Sequence, residues 1–150
     1  MQIRKSYPKL RLTYSLIVKR KAFILQKSEN GNKAICIDSE NAKSLLAFLN
    51  KDERHKKKFR YISELILRDI RNTELYDKEN INKKAKHVTA MKFFKGQENA
   101  RIYCKEQRIN NQLFIIVCCE LLQAKKSQSN TKLIRTLIDK ISNYEYEIEE

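Results

Sequence analysis

A chain of 150 residues, 41% apolar and 33% charged, suits one domain around one core; it is too apolar for a disordered tail and too polar for a membrane-embedded protein. No apolar run reaches the roughly 20 residues of a spanning helix, and Met1-Gln2-Ile3-Arg4-Lys5 leads into no signal core, so a cytoplasmic location is expected. Thirty-two Lys and Arg against eighteen Asp and Glu leave a formal charge of +14, which favours a phosphate-bearing partner or else reflects lysine placed wherever solvent permits.

Residues 10 to 18 alternate apolar and polar with the period of a half-buried strand. A basic turn, Lys19-Arg20-Lys21, precedes short apolar runs at 22 to 28 and 33 to 38. The Asn30-Gly31 pair between them supplies the positive φ angles of a tight hairpin. Residues 1 to 38 therefore read as an N-terminal β-meander, either joined to the main sheet or forming a separate layer.

Residues 39 to 72 read as a helical pair. Asp38 and Ser39 cap a helix over about 40 to 50 whose Leu45, Leu46 and Leu49 share a face; Phe59, Ile62, Ile66 and Ile70 mark a second over about 52 to 71. Its start, Arg54-His55-Lys56-Lys57-Lys58, is almost wholly basic. Such charge opposes the helix dipole, so Lys56, Lys57 and Lys58 are either RNA-phosphate contacts or a solvated face.

Residues 72 to 87 read as a loop with room for one helical turn. Strands follow at about 88 to 95, 99 to 107 and 113 to 122, the last apolar on both faces and so the centre of a sheet. Ser127-Gln128-Ser129-Asn130 offers a cap for a helix over 131 to 143. The tail from Tyr144 alternates like a strand, and its four glutamates could instead fold over a basic groove. The fold class is thus α+β in a single domain, 1 to 150.

The cysteines Cys36, Cys104, Cys118 and Cys119 lie in strand-like runs without a C-x-x-C pair, as reduced core thiols do, and neighbouring Cys118 and Cys119 point to opposite faces. With only His55 and His87 to complete a ligand set, neither a zinc site nor any cofactor is expected. Period two places Arg101, Tyr103 and Lys105 on one strand face and Ala100, Ile102 and Cys104 on the other. A guanidinium fork for phosphate beside a phenol for base stacking suits RNA; a solvated strand face is the plainer alternative.

The stretch from about Val88 to Tyr144 resembles the RelE/HigB-like branch of the RelE/ParE superfamily of type II toxins. Its features are a strand with a turn, Ala100-Arg101-Ile102-Tyr103, an apolar strand, Lys125-Lys126-Ser127-Gln128 and a short closing helix. The resemblance implies an antiparallel sheet with helices packed on one side, ribosome-dependent cleavage of messenger RNA without a metal, and an antitoxin protein as partner. ParE-related members inhibit gyrase instead, and a non-catalytic nucleic-acid-binding module is a further alternative.

By position Arg101 matches the family's strand arginine, and Lys125 and Lys126 its basic residues after the central strand; Lys92 and Lys95 correspond more loosely. In cleavage a ribose 2′-hydroxyl would attack phosphorus in line, with Arg101 and Lys125 or Lys126 stabilising the phosphorane oxygens. Tyr103 or Tyr144 could act as acid only where a cationic pocket lowers its pKa. The N-terminal meander is larger than the family's usual start.

Overall fold

The structure, a computed structural model, describes residues 17–79, 81–123 and 131–149. In chain order the elements are β1 (Val18–Lys27), β2 (Lys33–Asp38), α1 (Ala42–Leu49), α2 (Glu53–Leu67) and β3 (Tyr76–Lys78). A 3₁₀ turn (Lys83–His87), β4 (Val88–Phe93), β5 (Ala100–Ile109), β6 (Leu113–Leu122), α3 (Lys132–Ser142) and β7 (Tyr144–Ile148) complete the chain. The α+β class expected from the sequence is what the chain adopts.

β1 and β2 are joined antiparallel as expected, but through a five-residue loop, 28–32, in which only Gly31 of the Asn30-Gly31 pair takes a positive φ, +78°, its amide donating to the Ser28 carbonyl at 2.9 Å. Lys19, Arg20 and Lys21 are not a turn but lie within β1, held by parallel pairing with β7. The meander joins the main sheet through parallel β2–β6 pairing, which gives one seven-stranded sheet in the order β3-β4-β5-β6-β2-β1-β7. β6, apolar on both sides, is its central strand. The alternating part of residues 10 to 16 lies outside the described residues.

The expectation of helices on one side needs correction. One apolar cluster joins Ala34, Cys36, Tyr103, Val117 and Cys119 to Ile134, Ile138 and Ile141 of α3. A second joins Ile35, Ile37, Ile102, Cys104 and Cys118 to Leu45, Phe48 and Leu49 of α1 and Ile62 and Ile66 of α2. Helices therefore cover both faces. The physical reason is visible in β6: Ile116 and Cys118 need one lid, Ile115, Val117 and Cys119 another, and strands apolar on both sides are stable only when both are covered. All four cysteines are buried free thiols.

Caps differ in detail from the sequence expectation. Asn41 rather than Asp38 or Ser39 is the N-cap of α1, and Asp38 instead accepts from the Glu40 and Asn41 amides at 2.8 and 3.0 Å. The predicted cap for α3, residues 127 to 130, lies outside the described residues; Thr131 does that work, accepting from the Ile134 amide at 3.3 Å. The 72 to 87 loop contains the edge strand β3 as well as one 3₁₀ turn. In β7, Tyr144 and Tyr146 turn inward and Glu145 and Glu147 outward, so the tail is a strand rather than a cover for a groove.

Candidate nucleic-acid interface

Period two does bring Arg101, Tyr103 and Lys105 to one face of β5, the face that α3 covers, where Arg101 and Lys105 are occupied by internal partners and Tyr103 is buried. The Arg101 guanidinium donates to Glu79 Oε1 at 2.5 Å, with only 16% and 11% of the two side chains exposed. Tyr103 is fully buried beside this pair; burial, with Glu79 adding to it, pushes its phenol up to about 12. Lys105 Nζ donates to the Ser142 carbonyl at 2.6 Å, and burial lowers its pKa. The face expected to grip phosphate is interior.

Tyr144 extends the same belt. Its hydroxyl donates to Glu120 Oε2 at 2.7 Å while the Arg20 guanidinium lies 4.3 Å from its ring. Burial, followed by the bond to Glu120, raises its pKa above the ordinary value. Both tyrosines proposed as acids are thus shifted away from acid function at neutral pH, because burial, with neighbouring carboxylates adding to it, outweighs Arg101 and Arg20. Lys125 and Lys126 lie outside the described residues. Lys92 donates to the Thr73 carbonyl at 3.0 Å, and Lys95 pairs with Glu74 at 3.3 Å.

α2 is different. Its apolar stripe faces the sheet, and Arg54, Lys57, Lys58 and Tyr61 recur at i, i+3, i+4 and i+7 along a second stripe beside it. Lys56, at the side of the helix, pairs with Glu53 at 3.4 Å. Lys57 is exposed and Tyr61 is 52% exposed; neither Lys57 nor Lys58 forms an ion pair among the described residues. Arg54 lies flat over Phe94, its Cζ 3.7 Å from the ring centroid, while Nη1 donates to Gln97 and Nη2 to Glu98, each at 2.9 Å. Lys58 Nζ is 5.6 Å from the same ring.

Beneath this surface His55 is 1% exposed. It approaches Asp52 Oδ1 through Nδ1 at 2.6 Å and Glu98 Oε2 through Nε2 at 3.0 Å, with Phe48 and Phe94 edge-on at ring separations of 4.9 Å. The histidine therefore ties the start of α2 to the 94–99 turn that carries Phe94. Sequence reasoning counted it among a run of surface cations and missed Tyr61 and Phe94. The spacing of Arg54, Lys58 and Tyr61, off the apolar stripe, was the available signal.

The bond from His55 holds Asp52 below its ordinary pKa. Burial alone would raise Glu98, but Arg54, His55 and Lys51 outweigh it and leave that carboxyl low as well. Depressed carboxyl values stabilise the fold above the ordinary carboxyl range near pH 4, and that contribution fades as pH falls through the folded values. Urea midpoints measured from pH 6 to pH 2 are therefore expected to fall less steeply in a Asp52→Asn/Glu98→Gln variant than in the wild type. Parallel curves would contradict this account.

On the other side of α2, a cavity of about 160 Å³ is lined by Ile62, Leu65, Leu75 and Phe114 together with polar residues that include Lys33, Asp69, Tyr76 and Glu106. It is smaller than the roughly 300 Å³ at which ligand pockets begin. Among the described residues no His, Cys, Asp and Glu cluster is arranged to hold a metal ion, and no helix is long and apolar enough to cross a membrane. Comparison with protein-family models, with curated proteins and with solved structures finds no match.

Proposed function

We propose that this chain is a basic RNA-binding module that docks through the outer face of α2, without catalysing cleavage. The observation that carries this reading is the contrast between two cationic sets. Arg101 and Lys105 are consumed by Glu79 and Ser142, whereas Lys57 and Lys58 stand beside an exposed tyrosine and a supported guanidinium with no acidic partner among the described residues. A net charge of +14 strengthens encounter with a polyanion.

The test is a salt titration of RNA binding. Each cation that displaces a counterion from a single strand contributes roughly 0.7 to the slope of log K against log salt. Lys57→Glu/Lys58→Glu is expected to lower that slope by about 1.4, since two such contacts vanish. Lys57 is exposed and Lys58 half-buried, and neither belongs to the apolar core, so the fold should persist; an unchanged slope would rule out α2 as the docking face.

A toxin-like reading, ribosome-dependent endoribonuclease with an antitoxin partner, draws support from the chain order β4, β5, β6, α3 with Arg101 on β5. It requires the Glu79 pair to open on the ribosome. Adding the protein to translating ribosomes and mapping new 5′ ends separates cleavage from binding, and inhibited supercoiling with intact messenger would point to the gyrase alternative.

A further inference from the structure

The Arg54 guanidinium is held as a supported plane. Recognition of phosphate uses the edges of the guanidinium fork, where the N–H groups point. In this chain Gln97 and Glu98 take Nη1 and Nη2, and Phe94 lies against one face of the plane. Half of the Arg54 side chain remains exposed. With two of its five N–H groups engaged and one face covered, the other face of the plane is open for stacking.

Phe94 supports this plane at a conformational cost. Its φ of +57° is in the left-handed region, which is unfavourable for a bulky side chain, so its surroundings must hold it there. They do: the Gln97 and Asn99 amides donate to the Phe94 carbonyl at 2.9 and 3.0 Å, and His55 meets the ring from the side. Two turns further along α2, roughly 10 Å at 1.5 Å per residue, Tyr61 presents a second exposed ring on the same stripe. Lys57 and Lys58 lie between them.

Resting on the RNA-binding reading above, we infer that the outer face of α2 is a reader of single strands, with the Arg54–Phe94 stack and Tyr61 as two base-stacking platforms and Lys57 and Lys58 as phosphate contacts between them. Unpaired bases stack on aromatic rings and guanidinium planes irrespective of sequence, whereas a duplex keeps its bases stacked on one another. The platforms therefore select for unpaired RNA and leave sequence largely unread.

The experiment measures binding of a uridine homopolymer and of a mixed-sequence RNA duplex of equal charge across a salt range. Arg54→Lys retains the charge but removes the plane; Tyr61→Ala removes a solvent-exposed ring without opening the core. Each is expected to weaken single-strand binding roughly tenfold, in the range of one lost base stack, while leaving the salt slope as in the wild type. Circular dichroism of both variants checks the fold, and Tyr61→Phe, which keeps the ring, is expected to restore affinity. Equal affinity for duplex and single strand, with no loss in either variant but a reduced slope in Lys57→Glu/Lys58→Glu, would overturn the stacking inference and leave electrostatic docking intact. Absence of binding to both probes would overturn docking and stacking together.

Discussion

Replacing Asp38 with Asn is expected to destabilise the fold by about 3–5 kcal/mol, the cost of leaving one member of a buried ion pair without the other. Asp38 is fully buried and accepts five hydrogen bonds: from Arg20 Nε at 2.6 Å and Nη2 at 3.2 Å, from the Tyr146 hydroxyl at 2.6 Å, and from the Glu40 and Asn41 amides at 2.8 and 3.0 Å. An amide in its place must turn its own N–H₂ toward donors, on one side or the other. Arg20, with 11% of its side chain exposed, would retain only Glu40, which is 65% exposed and worth little as a compensating charge. Tyr146→Phe removes one hydrogen bond to the buried carboxylate and leaves the ion pair in place, and should cost about 1.5–3 kcal/mol. Urea unfolding checks both: the midpoint should shift with an unchanged m-value. A loss below about 1 kcal/mol in Asp38→Asn would show that water reaches the pair and that β1, β2 and β7 are held together by other means.

Where the pattern of side chains is local, the sequence was a good guide. The β1–β2 hairpin, α1, α2, the three strands from Val88, α3 and the closing strand each announce themselves by a turn pair or by a period of two or 3.6. What period cannot reveal is which partner waits across the sheet. Arg20 reads as part of a basic turn, yet it is a strand residue because Asp38, eighteen residues on, and Tyr144, far along the chain, receive it. Helices on both faces were hidden for a similar reason: β6 declares itself apolar on both sides, but nothing local says that α3 crosses to the face opposite α1 and α2.

The candidate site shows the same limit. Three cation-bearing or aromatic residues on one face of β5 gave the right geometry and the wrong surroundings. Glu79, the residue that neutralises Arg101, lies in a polar loop 22 positions earlier with no periodicity to mark it. On α2 the reverse holds: a run of five basic residues looked uniform, and only the fold separates buried His55 from stacked Arg54 and from exposed Lys57.

Glu79→Gln is expected to cost about 3 kcal/mol or more, because it strands the Arg101 guanidinium in a largely buried place, and Arg101→Ala should be comparably damaging through the stranded carboxylate. Growth inhibition lost in Arg101→Ala would therefore not distinguish a catalytic guanidinium from a collapsed fold. The informative variant replaces both members with apolar residues of similar size, Arg101→Met/Glu79→Leu, for which buried pairs are often neutral or even stabilised. Its urea midpoint is expected to sit close to the wild type, with RNA binding by α2 intact. On translating ribosomes neither the wild type nor this variant is expected to produce new 5′ ends. Ends made by the wild type would overturn the non-catalytic reading, and their loss in this variant, with stability and binding preserved, would require that the Glu79 pair opens in the complex and that the β5 guanidinium meets the scissile phosphate there.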